Sequence, residues 1–143
     1  MHNPKHWQKG RIHMQKPIEI WIDALDFENK GGWQEDTQYV HLMGSPYLIA
    51  AHEPGVPVED ARITVNIPQA DTYRIWVRDR NWLRPHNPGT FNLVVNGENN
   101  GTILGMQPSD RWVWEIAGDF SLEEGAYRRK NCRGTAYTAH GAA

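Results

Sequence analysis

The sequence predicts an all-β fold, an antiparallel β-sandwich of the jelly-roll type, and three observations carry that prediction. Apolar residues recur at every second position in several short runs, an Asn96-Gly97 pair sits between two such runs, and no stretch shows a convincing helical period. Nine Pro and thirteen Gly among 143 residues cut the chain into short segments, as a stack of strands joined by turns requires. Parallel βαβ units would need helical crossovers.

Each element follows from its alternation. In 18–25, Ile18, Ile20, Ile22 and Ala24 fall on one side of an extended chain and Glu19, Trp21, Asp23 and Leu25 on the other, which predicts a half-buried first strand. Residues 38–43, between two Gly-containing turns, are a weaker strand candidate. Ile63, Val65 and Ile67 alternate with Arg62, Thr64 and Asn66, and Tyr73, Ile75 and Val77 alternate with Thr72, Arg74, Trp76 and Arg78. Phe91, Leu93 and Val95 lead into Asn96-Gly97, the pair that best tolerates the positive φ angles of a type I′ hairpin turn, so 102–104 should return beside them. Trp112, Trp114 and Ile116 alternate with Arg111, Val113 and Glu115, and their size assigns them to the core face of a last strand.

The alternation sets the domain limits. A disordered N-terminal segment is expected over 1–16, the β-sandwich domain over 17–125, and an aberrant or disordered tail over 126–143, where no period of two continues.

Composition narrows the function. With 15 basic and 17 acidic residues the net charge is −2, which gives no field to hold a polyanion, so nucleic acid is excluded as a partner. No run of 18 apolar residues exists to insert into a membrane. Cys132 is the single cysteine and has no internal disulfide partner. The first sixteen residues hold His2, His6 and His13 among Lys, Gln and Asn, without the apolar run of a signal peptide.

Four stretches together resemble a known module: IWIDALDF at 20–27, GGWQEDTQYVHLMGSPYLIAA at 31–51, YRIWVRDRNWL at 73–83 and GTFNLVVNG at 89–97. The likeness, over 18–124, is to the golvesin-type, xanthan-lyase carbohydrate-binding-like domain found in bacterial FAD-dependent oxidoreductases. That resemblance implies a galactose-binding-like β-sandwich, non-catalytic in itself, within a secreted or periplasmic parent. Its partner would be a glycan, or else the parent's own catalytic domain, on which it would pack as a structural element. FAD would belong to the parent, because this chain has no Gly-x-Gly-x-x-Gly after a strand to cradle a dinucleotide. Related modules open on a Trp-Ile-Glu-Ala-Glu type sequence; Leu25 replaces the second carboxylate here, which removes an oxygen ligand from any structural calcium site.

The candidate glycan-binding residues are Trp33, Trp76, Arg78, Trp82 and Arg84. Trp76 stands between Arg74 and Arg78 on the polar side of its strand, and Trp82 follows between Arg80 and Arg84. Aromatic faces stack on the apolar face of a sugar while planar guanidinium groups reach its hydroxyls. Trp33 lies in a turn with Glu35 and Asp36, where it serves either as a stacking surface or as a plug at the end of the core. Asp36, His41, His52 and Glu53 show neither a nucleophile–base signature nor short metal-ligand spacing, so no catalytic or metal residue is assigned.

Overall fold

The computed structural model describes residues 16–50, 56–81, 86 and 89–128. The chain is all-β and antiparallel. Its strands are β1 (Gln34–Asp36), β2 (Tyr47–Ile49), β3 (Thr64–Ile67), β4 (Asp71–Arg80), β5 (Phe91–Val95), β6 (Glu98–Leu104), β7 (Trp112–Leu122) and β8 (Gly125–Arg128). They pair as four antiparallel ladders, β1 with β2, β3 with β8, β4 with β7 and β5 with β6. Helical backbone among the described residues is confined to a 3-10 turn, Ala24–Asp26, and one short helix, α1 (Val40–Met43).

The predicted hairpin forms as its turn chemistry demands. Asn96 and Gly97 take φ of 52° and 85°, and Val95 pairs with Glu98 directly across the turn. Part of the core comes from the predicted inward sets, Ile67, Leu93 and Val95 among them, and the rest from the far half of β7. Ile67, Leu93, Val95 and Leu104 are buried against Ala117, Phe120 and Leu122 of β7, with Tyr73, Ile75 and Val77 packed beside them.

Four expectations are corrected. Residues 18–23 carry no ladder among the described residues, and Ile18, Ile20 and Trp21 are exposed. Alternation makes a segment able to be a strand, but backbone pairing needs an available edge in the right place. Here the run is cut short by a capping box, in which Leu25 N–H donates to Asp23 Oδ1 (3.1 Å) and Asp23 N–H to Asp26 Oδ2 (2.7 Å). Residues 40–43 form α1 instead of a strand, because Asp36 Oδ1 accepts from Gln38 N–H (3.0 Å) and turns the chain out of β1. Residues 126–128, placed by sequence in the tail, belong to β8, where Ala126 pairs with Asn66; the rest of the tail lies outside the described residues.

The fourth correction decides which side chains the molecule displays. Trp114 and Ile116 face outward, 51 % and 46 % exposed, while Glu115 and Ala117 face the interior. The cause is a bulge. Ile75 pairs with Gly118 but Trp76 pairs with Ile116, so Ala117 is an extra residue in β7, and the inward phase shifts from even positions (Phe120, Leu122) to odd ones (Val113, Glu115). Gly118 sits at the bulge with φ of 144°, and a Cβ there would collide with the Asn100 amide that donates to Ala117 C=O (2.6 Å).

Candidate binding face on the β4–β7 ladder

Residues directly opposite in an antiparallel pair share a face. Trp76 faces Ile116, Arg78 faces Trp114 and Arg80 faces Trp112, so one surface of the β4–β7 ladder carries three tryptophans, an isoleucine and two arginines.

The Arg80–Trp112 end of this surface is covered. Trp112 packs against Tyr47 (ring centroids 4.8 Å apart) and Tyr39 (6.5 Å), and the Arg80 guanidinium lies 4.4 Å from the Tyr39 centroid. Tyr47 is buried and donates its hydroxyl to Asp36 Oδ2 at 2.6 Å. Burial, aided by that carboxylate, pushes the Tyr47 hydroxyl up to about 12, while the same hydrogen bond holds Asp36 below the usual carboxylate range.

The Trp76–Ile116 end is open. Trp76 is 51 % exposed, and among the described residues no aromatic ring packs on it. Trp114 is braced edge-on by Trp21, centroids 6.2 Å apart at 81°, and the Arg78 guanidinium stands 5.9 Å from the Trp114 centroid. Arg78 Nη1 donates to the Met43 carbonyl (3.1 Å) at the end of α1, which fixes the side chain along the sheet. Beyond Trp76, Arg74 is held bidentately by Asp119 (2.8 and 2.9 Å); the hydrogen bonds raise the guanidinium's affinity for its proton and lower the Asp119 carboxyl. A cavity of about 860 Å³ extends past both faces of β4, lined by Trp76, Arg78 and Trp114, by residues of 18–24, by Trp33 and by core residues such as Ile67 and Val95.

Of the five residues predicted from sequence, Trp76 and Arg78 lie together on this face. Trp82 and Arg84 lie outside the described residues, as do His52 and Glu53. Trp33 is separate. It stands edge-on to Phe91 (6.0 Å, 83°) with its indole N–H buried, so it plugs the end of the core, the alternative that its turn position allowed. Three residues of this face are absent from the predicted set: Trp114 and Ile116, which alternation assigns to the core and the bulge turns outward, and Trp21, on the polar side of the predicted first strand, which packs on Trp114.

The opposite face of the same ladder hides a second feature. Asp79 and Glu115 are 6 % and 9 % exposed, both pointing inward and diagonal across the ladder, since Asp79 pairs with Val113 and Glu115 with Val77. Gly105 N–H donates to Asp79 Oδ2 (3.2 Å), whereas Asp79 Oδ1 and Glu115 Oε1 are enclosed without other partners. Burial, and then the charge of Glu115, push the Asp79 carboxyl up to about 7, so in mildly acidic solution Asp79 keeps its proton in the interior. No group of three or more His, Cys, Asp or Glu stands close enough to hold a metal ion among the described residues.

No family model, curated protein or solved structure matches the chain.

Proposed function

We propose that this chain is a non-catalytic carbohydrate-binding module, accessory to a larger exported bacterial protein of the FAD-dependent oxidoreductase or xanthan-lyase-like kind, and that its eight strands serve as a two-sheet, jelly-roll scaffold for one recognition face. The observation that carries this reading is Trp76: a half-exposed indole on the outer side of the β4–β7 ladder, free of ring contacts among the described residues, with Arg78 and Trp114 beside it. A solvent-exposed indole can offer a sugar ring its π-face, and a neighbouring guanidinium directs hydroxyl oxygens. Affinity in the millimolar range is expected, because one or two stacked sugars leave little surplus after ordering costs.

The test is calorimetric or NMR titration with a panel of soluble polysaccharides, using wild type and Trp76→Ala. Binding that weakens several-fold in the variant, with unchanged circular dichroism, supports the module. A folded wild type that binds no polysaccharide overturns it.

A second reading rests on the run of apolar groups Ile116, Trp76, Trp114 and Trp21. Such a surface, rich in Trp beside Arg, also suits packing against the parent's catalytic domain. Protection of Trp76 and Trp114 from oxidation only when the parent domain is present, with no sugar binding, would favour it.

A further inference from the structure

The charges on the open face are not equally available. Arg74 is neutralised by its bidentate pair with Asp119, and Arg80 is laid over Tyr39 under the β1–β2 hairpin. Arg78 lies between them in a different state. Among the described residues its one hydrogen bond is to a neutral carbonyl, that of Met43, and no carboxylate stands within ion-pair distance. The acidic residues lining the same cavity do not compensate it: Asp23 caps the 3-10 turn, Asp36 accepts the Tyr47 hydroxyl, Asp79 is turned into the interior, and Glu19 makes no ion pair among the described residues. A guanidinium has five N–H donors, so Arg78 retains most of its fork for a ligand.

We propose that the sugar taken by this face is acidic, its carboxylate held by Arg78 while its ring stacks on Trp76; this deepens, and depends on, the carbohydrate-binding reading. Trp76 and Arg78 are two residues apart on one side of β4, about 6.6 Å along the strand at the usual rise. That separation suits a stacked pyranose whose carboxyl group, or that of its neighbour in the chain, points along the strand. The planar fork of arginine matches a carboxylate with two parallel hydrogen bonds, and Trp114 against the guanidinium limits its rotation. A cation with no ion-pair partner among the described residues, on a face where Arg74 is paired with Asp119 and Arg80 is laid over Tyr39, favours a uronate over a neutral hexose, which leaves the charge unmatched.

The experiment compares an oligouronide with the same oligosaccharide after its carboxyl groups have been reduced to primary alcohols, so that only the charge differs. The wild type is expected to bind the acidic form about tenfold or more tightly than the reduced one, the gain usual for one charge-assisted contact. The preference should shrink with added salt, fall towards one in Arg78→Gln, and return in part in Arg78→Lys. Equal affinity for both forms overturns the acidic assignment while leaving the carbohydrate-binding reading in place. A sulfated oligosaccharide bound as tightly as the oligouronide overturns the choice of carboxylate. Binding to none of the three by folded protein overturns the carbohydrate-binding reading itself.

Discussion

Asp79 and Glu115 share the interior of the β4–β7 ladder, diagonal to one another, each with one enclosed oxygen that no other group satisfies. A proton retained by Asp79 lets the two carboxyls face each other. In the unfolded chain Asp79 gives up that proton near its ordinary value of 3.8, but in the fold it holds it to about 7. The folded state therefore binds more protons across that window, and stability must fall as pH rises through it.

The expected slope is about 1.4 kcal/mol lost per pH unit for the single retained proton, between roughly pH 4 and 7. The Asp79→Asn variant carries an amide that can donate to Glu115 at every pH, so its denaturation free energy should be flatter across the window and exceed that of wild type at pH 8. Urea titrations of both proteins at several pH values check this; parallel curves would reject the retained proton. Below the window the trend reverses, because Asp36 and Asp119 titrate lower in the fold than in the unfolded chain and lose their hydrogen-bonded charge as they are protonated.

The two ends of the outer face should respond differently to truncation. Trp112 is sandwiched against Tyr47 and Tyr39, so Trp112→Ala is expected to cost about 3 kcal/mol. Trp76 is half exposed and meets no ring among the described residues, so Trp76→Ala should cost less than about 1 kcal/mol. Equal losses in chemical denaturation would mean that the open end is covered after all.

Two glycines separate backbone strain from collision. At Gly97 a Cβ would meet nothing within 4 Å, so Gly97→Ala should cost only the positive-φ penalty, about 1 kcal/mol. Gly118→Ala adds the collision with Asn100 to a φ of 144°, and its cost should exceed that of Gly97→Ala, at about 1–3 kcal/mol. Matching melting temperatures for the two variants would contradict the tight contact at the bulge.

What the sequence disclosed depended on how local the determining physics was. The β5–β6 hairpin was legible because Asn96-Gly97 contains its own turn, and β3 and β4 were legible because their alternation is unbroken and one face is plainly apolar. The phase of β7 was not. Trp112, Trp114, Ile116, Phe120 and Leu122 make an even series broken only at Gly118, and although a glycine within a strand marks a bulge, it does not say that Ala117 is the residue inserted against β4. Glu115 also resists assignment to the interior, since its presence there depends on Asp79, thirty-six positions away. Half of this outer face is therefore illegible locally: Trp76 and Arg78 follow from β4 alone, whereas Trp114 requires the register. In β8 the short residues Gly125 and Ala126 carry no apolar pattern, so the strand is visible only through its backbone pairing with β3.

The inserted Ala117 leaves this chain with a rival one residue away. If the 112–116 half of β7 slid along β4 so that Ala117 lay opposite Trp76, Glu115 would come opposite Arg78 as a cross-strand ion pair, and Trp114 and Ile116 would turn inward. That arrangement is chemically reasonable, which makes it a true competitor on the folding landscape rather than a remote misfold. During folding, two alignments of the same two strands must therefore be sorted from each other, and Gly118, with the backbone angle that only a glycine takes readily, tips the choice toward the alignment that presents tryptophan to solvent.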